Sequence, residues 1–206
     1  MTARIAVVDY GMGNLHSVLK KFRRIGAEAV VVAGPDDVRT ANKLVLPGVG
    51  HFGEAMRRLE ESGLRASLQE AVKGRGIPIL GICLGMQLLA KQSEEGNSKG
   101  LGWLDADAVR FKVSDSLRFK VPQMGWNSIG IRKESPLTLG LPAEPEFYFA
   151  HAYHLVCRDP SDVLGETTYD YVFPSAVQRK NVYGVQFHPE KSHDTGEALL
   201  RNFVNL

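Results

Sequence analysis

Apolar positions recur with two different periods along the first half of the chain. "RIAVVD" at residues 4–9 is a short run rich in β-branched residues, the pattern of a buried strand. Leu15, Val18, Leu19, Phe22 and Ile25 then recur at helical spacing and form one apolar face, which Gly26 closes. "AEAVVVAG" predicts a second strand, "DDVRTA" a short helical stretch, and "KLVL" at residues 43–46 a third strand running into "PGVG". Helices are expected over residues 52–61 and 64–73, punctuated by Gly63 and Gly74, before a fourth strand "IPILGI" at 77–82. Strands alternating with helices in this order predict a mostly parallel central sheet flanked by helices.

The pattern changes after Trp103. The apolar runs shorten and become β-rich ("DAVRFKV", "EFYFAHAY", "HLVC", "SAVQR", "NVYGVQF"), separated by Gly, Pro, Asp and Asn. Antiparallel hairpins added to the α/β core are expected there, followed by a last helix over residues 196–206. With no repeat and no linker, residues 1–206 read as one domain.

Composition narrows the class. A formal net charge of +2 gives no strong attraction to nucleic acid, and the densest basic cluster, "KKFRR" at residues 20–24, is expected as a solvated face suiting a helix C-terminus. No apolar run approaches the roughly 18 residues a membrane helix needs. The two cysteines, Cys83 and Cys157, make no disulfide framework and show no metal-ligand spacing, so neither a metal nor a cofactor is expected. A cytoplasmic location follows as the default, one that leaves Cys83 a free thiol.

That thiol sits in "GICLGMQ" at residues 81–87, a G-x-C-x-G between a strand and a helix. This is the nucleophile-elbow pattern with cysteine in place of serine. The turn is so tight that side chains two before and two after the nucleophile would collide, and Gly81 and Gly85 leave room. The sulfur is expected above the carboxyl edge of the sheet, where a following helix N-terminus favours thiolate. The Leu84 amide is placed to donate to an oxyanion.

A nucleophile needs a base. In "NVYGVQFHPEKS" the β-rich portion delivers His188 to a strand end, and Glu190, two residues on, is expected on the same side of an extended backbone. A carboxylate there accepts an imidazole N–H, sets its tautomer and stabilises the imidazolium. Of the remaining histidines, His16, His51, His154 and His193 are expected to be solvated or capping, and His151 to line a pocket or satisfy a core hydrogen bond. "LPGVG" ends a strand in glycines that let backbone N–H groups converge on an anion. It lacks the lysine of a phosphate loop, and "DYGMGN" lacks the third glycine of a dinucleotide fingerprint.

Together "DYGMGNLHSV" (9–18), "LPGVG" (46–50), "PQMGWN" (122–127) and "YGVQFHPEKS" (183–192) resemble the class I, triad-type glutamine amidotransferases. The first and third stretches resemble those members that serve a synthase of histidine biosynthesis. The resemblance implies that Cys83 forms a glutamyl thioester from glutamine while His188 and Glu190 manage the protons. Leu84 with Val49 or Gly50 would hold the oxyanion, and Gln87, Glu95, His151 and Tyr153 would hold glutamine. It further implies that ammonia passes to a (β/α)8 cyclase subunit as heterodimer partner, contacted by Asn14, Gln123, Met124, Trp126, Asn127, Tyr148 and Lys191. Ala152 departs from the small hydroxyl residue expected at its position. Competing readings are a class I subunit of a different synthase and a stand-alone Cys–His hydrolase. Because a free glutaminase would waste glutamine, a gate at "LPGVG" is expected, with low activity until the partner is engaged.

Overall fold

A computed structural model describes residues 4–206, so the first three residues of the expected domain lie outside it. Four strands, β1 (Ile5–Val8), β2 (Ala29–Val32), β3 (Lys43–Gly48) and β4 (Ile79–Cys83), pair in parallel in the order β2-β1-β3-β4. A late strand, β14 (Val182–Val185), then pairs in parallel against the open side of β4. The connections are α1 (Leu15–Arg24), α2 (Pro35–Arg39), α3 (Phe52–Glu61) and α4 (Leu64–Gln69), the last continuing as a π-turn over Glu70–Gly74. The chain ends in α6 (His193–Val204), three residues earlier at its start than its glycine predicts.

Strand period 2 divides the core into two layers. Ala6, Val8, Leu44, Leu46 and Ile79 face one side of the sheet, where Val38 of α2, Ala55 and Leu59 of α3, and Leu64 and Leu68 of α4 cover them. Ile5, Val7, Val45, Leu80 and Ile82 face the other, against Val18 and Phe22 of α1 and Leu199, Leu200 and Phe203 of α6. Full burial of side chains of this size contributes roughly 1.5–3 kcal/mol each.

The basic cluster on α1 is largely the solvated face that charge predicts, with Lys20, Arg23 and Arg24 exposed, and only Lys21 is mostly covered. Lys21 Nζ lies 3.2 Å and Arg24 Nε 2.8 Å from Glu197 Oε1 on α6, with Arg201 at 3.7 Å from the other oxygen. A buried carboxylate is costly unless paired, and Glu197 is paired chiefly with the covered Lys21, while Arg24 and Arg201 reach it from the surface.

The second half adds antiparallel β structure. Strand β13 (Val172–Arg179) pairs with β14, followed outward by β12 (Val163–Thr168) and β9 (Gly130–Ile131), completing eight strands. A four-stranded sheet orders β11 (Tyr153–Cys157), β7 (Ala106–Arg110), β5 (Gln92–Ser93) and β6 (Ser98–Lys99). "PQMGWN", expected as a contact loop, is instead mostly strand: β8 (Gln123–Ser128) pairs antiparallel with β10 (Glu146–His151), Trp126 opposite Tyr148. Its glycine and polar residues hide the alternation that the ladder imposes. Among the described residues no helix is long and apolar enough to cross a membrane.

Between β4 and the four-residue helix α5 (Leu84–Gln87) the chain turns at Cys83 with φ 53° and ψ −111°. A Cβ on Gly85 would sit 1.8 Å from the Leu46 carbonyl oxygen, and one on Gly81 2.6 Å from the Gly85 carbonyl oxygen. We therefore expect Gly85→Ala to cost about 1–3 kcal/mol or more in denaturant unfolding. Gly130→Ala, whose nearest neighbour would be 3.9 Å away, should fall within about 0.5 kcal/mol of the parent chain.

Candidate active site

The site forms where β3, β4 and β14 end together. Gly48 is paired with Cys83 across β3–β4, and Val185 with Ile82 across β14–β4. Residues just beyond these pairs therefore converge on the carboxyl edge of the sheet. Cys83 occupies a left-handed backbone conformation that is strained for any residue but glycine, at a cost of order 1–3 kcal/mol. The two neighbouring glycines permit that turn. The turn helix after it is only Leu84–Gln87, so it offers far less dipole than a full helix.

His188 is the group beside the sulfur able to exchange a proton with it. It is buried, its backbone N–H donates to the Tyr148 carbonyl at 2.8 Å, and Ser192 Oγ donates to its carbonyl at 2.6 Å. Ser192 Oγ in turn accepts the Tyr148 N–H at 3.0 Å, so one buried hydroxyl locks this backbone to β10. Glu190 Oε1 lies 2.8 Å from His188 Nδ1. The contact does not come from an extended backbone, as spacing alone predicts. β14 stops at Val185, and a 3-10 turn over Pro189–Lys191 curls Glu190 back beneath the ring. Burial alone would push the imidazole down; hydrogen bonds and charge from Cys83 and Glu190 outweigh it and raise His188 to about 10. A cationic His188 between a sulfur and a carboxylate is a Cys–His–Glu arrangement able to carry out nucleophilic attack with proton transfer.

A cavity of about 200 Å³ opens beside the sulfur, lined by Val49, Gly50, Cys83, Leu84, Gln87, Glu95, Pro122, His151, Ala152 and Tyr153, with Ala150. It is smaller than the roughly 300–1,000 Å³ of drug-sized sites and suits an amino acid. A larger hollow of about 930 Å³, lined by residues 131–136 and 138–140, contains none of these groups. Gly50 has φ +115° and packs against Met12, while Val49 is exposed. Tyr10, unremarked in the sequence, fixes the same loop by donating its hydroxyl to the Pro47 carbonyl at 2.9 Å. Burial first, then the charge at Cys83, holds its phenol neutral.

Gln87 Nε2 donates both to the Tyr153 carbonyl at 3.0 Å and to Gln186 Oε1 at 3.1 Å. Both its protons are thus engaged, and only its carbonyl oxygen remains to accept from a ligand. Glu95 Oε2 accepts the Phe52 N–H at 2.7 Å, anchoring it at the start of α3. His151 shares a face of β10 with Phe147 and Phe149; its Nδ1 is 2.7 Å from the Tyr153 carbonyl and its Nε2 3.1 Å from the Gln123 amide. A carbonyl only accepts, so Nδ1 carries the proton. A neutral ring then needs a donor at Nε2; the Gln123 atom at 3.1 Å is Oε1, and turning that amide end for end brings its –NH2 there. Gln123, expected at a partner surface, is buried against His151, behind the cavity lining.

The other surface candidates are spread over the neighbouring face. Asn14 caps α1 by accepting the Ser17 N–H at 3.1 Å. Met124 and Trp126 are exposed, Asn127 donates to the Thr168 carbonyl at 2.9 Å, and Lys191 lies 5.6 Å above the Tyr148 ring. His193 stacks on Trp126 at 5.0 Å, and His51 caps α3. His154 departs from the solvated expectation: it is buried among Phe111, Tyr171 and Phe173.

The family described as glutamine amidotransferase class-I matches residues 6–206. The chain belongs to this family. It is 47% identical over 98% of its length, and 99% of the relative's, to imidazole glycerol phosphate synthase subunit HisH 2 of Pseudomonas aeruginosa. It is 48% identical to the HisH subunit of Sulfurimonas denitrificans, covering 97% of each chain. Among solved structures, PurLQS of Thermotoga maritima superposes with a TM-score of 0.77 at 20% identity, covering 100% of this chain and 99% of that one. That likeness concerns the fold.

This amidotransferase keeps His151 uncharged. Burial first, with His154 and His188 adding repulsion against the Tyr153 carbonyl's opposing pull, lowers it to about 3. An unfolded histidine titrates near 6.5, so below that pH the unfolded chain binds a proton the folded chain refuses. Stability attributable to His151 is therefore lost as pH falls from about 6.5 toward 3, by on the order of 4 kcal/mol. His151→Gln should flatten the pH dependence of denaturant unfolding across that window; a parallel curve would contradict the neutral buried ring.

Proposed function

We propose that the chain is the glutaminase subunit of imidazole glycerol phosphate synthase. One observation carries the chemistry: a cysteine on a strained elbow, beside a buried His–Glu pair, faces a cavity of amino-acid size. Relatives matched over nearly their whole length and named as this subunit supply the pathway.

In this reading glutamine enters with its side-chain amide against Cys83 Sγ and its polar end near Gln87 and Glu95, with His151 and Tyr153 completing the wall. The thiolate attacks the amide carbon. The Leu84 N–H and one from Val49 or Gly50 hold the oxyanion, and His188 protonates the departing nitrogen as ammonia. Water, deprotonated by His188, then cleaves the glutamyl thioester and releases glutamate, regenerating the thiolate. Glu190 keeps the imidazolium oriented throughout.

The ammonia passes to a (β/α)8 cyclase subunit, which yields imidazole glycerol phosphate and an aminoimidazole carboxamide ribotide. Asn14, Met124, Trp126, Asn127, Tyr148 and Lys191 form the docking face; Gln123 is buried behind His151 and takes no part in it. A biosynthetic role and two free cysteines support a cytoplasmic location. An exposed Val49 followed by Gly50 at φ +115° supports a peptide that reorients when the partner engages.

Glutamate release by the chain alone, with the cyclase subunit, and with that subunit's ribonucleotide ligand tests this directly. Low turnover alone and strong turnover in the full mixture are expected; vigorous turnover alone would remove the gate, and none under any condition would remove the function. In the full mixture Glu190→Gln should lower kcat by about 10²–10⁴-fold, and Cys83→Ala should abolish turnover while partner binding persists.

A further inference from the structure

The buried amide of Gln186 is absorbed by neither the triad nor the glutamine pocket. It stands two residues before His188 and is fully enclosed. Its Nε2 donates to Cys83 Sγ at 3.7 Å, and its Oε1 accepts from Gln87 Nε2 at 3.1 Å.

The direction of these bonds is fixed by chemistry. An amide side chain can be turned end for end with little change of shape, so its orientation must come from an unambiguous partner. Here that partner is the Tyr153 carbonyl, which can only accept. It obliges Gln87 to present its –NH2 group, whose second proton obliges Gln186 to present its oxygen. The –NH2 end of Gln186 is then left facing the sulfur. Tyr153, Gln87, Gln186 and Cys83 form a one-way relay from the wall of the pocket to the nucleophile. In the thiol form the sulfur has its own acceptor, the Ala150 carbonyl at 3.8 Å.

We propose that Gln186 is a further catalytic residue, whose side-chain N–H stabilises negative charge on Cys83 Sγ, separately from the imidazole's work of proton transfer. The role rests on the reading of Cys83 as nucleophile. Gln186 favours the thiolate before attack. It loses most of its bond when the sulfur becomes a neutral thioester and regains it when the thiolate departs during hydrolysis. No proton moves through it. Because its orientation depends on Gln87, whose free oxygen faces the pocket, the wall that meets the substrate also sets the donor at the sulfur.

The test uses the full chain, without glutamine or partner. Iodoacetamide alkylation of Cys83 is followed across pH by peptide mass spectrometry, with Cys157, which burial pushes up to about 12, as internal reference. Gln186→Met removes the donor with little change in volume. Its Cys83 alkylation midpoint should rise by about half to one pH unit, with no change at Cys157. An unchanged midpoint in a variant whose circular dichroism matches the parent overturns the proposal. If the variant does not fold, the unaltered chain decides. The Gln186 side-chain amide signals in 15N–1H NMR should move at the pH at which Cys83 titrates, and signals that stay fixed overturn it. A chain that shows the shift yet releases no glutamate would keep this role for Gln186 and remove the glutaminase reading instead.

Discussion

Parallel pairing of β4 between β3 and β14 is the constraint on which the site depends. Hydrogen bonds that align Gly48 with Cys83 and Ile82 with Val185 bring together residues from three distant parts of the sequence. Side chains in parallel sheets are buried on both faces, which is why β4 reads as a nearly continuous apolar run and why its register is firmly set. A slip of one residue would turn Cys83 toward the helices and separate it from His188. The chemistry is thus fixed first by backbone pairing and only then by side chains.

The elbow adds strain that this pairing can hold. Cys83 is kept in a left-handed conformation between two glycines whose hydrogen atoms face carbonyl oxygens. Around it, buried polar groups are joined into a network: Ser192 locks His188 to β10, Glu190 receives its ring N–H, and Gln87, Gln186 and His151 share carbonyl and amide partners. Low dielectric makes each of these bonds stronger and makes each unpaired group costlier, so the network enforces a single arrangement. Burial pushes both imidazoles down, and their neighbours decide the outcome. His188, held by Cys83 and Glu190, is raised, whereas His151, meeting a carbonyl and an amide, stays neutral.

Much of this was legible in the sequence because it is written locally. Two periods of apolar residues marked β1 to β4 with their helices, and the glycines at 81 and 85 marked the elbow. What escaped was decided by partners remote in sequence. "PQMGWN" becomes a strand because β10 lies alongside it, and Gln123 is buried because His151 faces it. Lys21 is covered because Glu197 meets it from α6, 176 positions later. Gln186 gave one faint signal, a lone amide inside the apolar run "YGVQFH". A polar residue in a buried strand end has a partner to satisfy, and here the partner is the nucleophile.

The central claim is that Cys83 carries the acyl group of glutamine. Mixing the active complex with glutamine, quenching in acid during steady turnover and mapping the chain by peptide mass spectrometry tests it most directly. The account predicts a glutamyl group on the Cys83 peptide, removed by mild base and absent from the Cys157 peptide. Glutamate production with no acyl group ever found at Cys83 would contradict it.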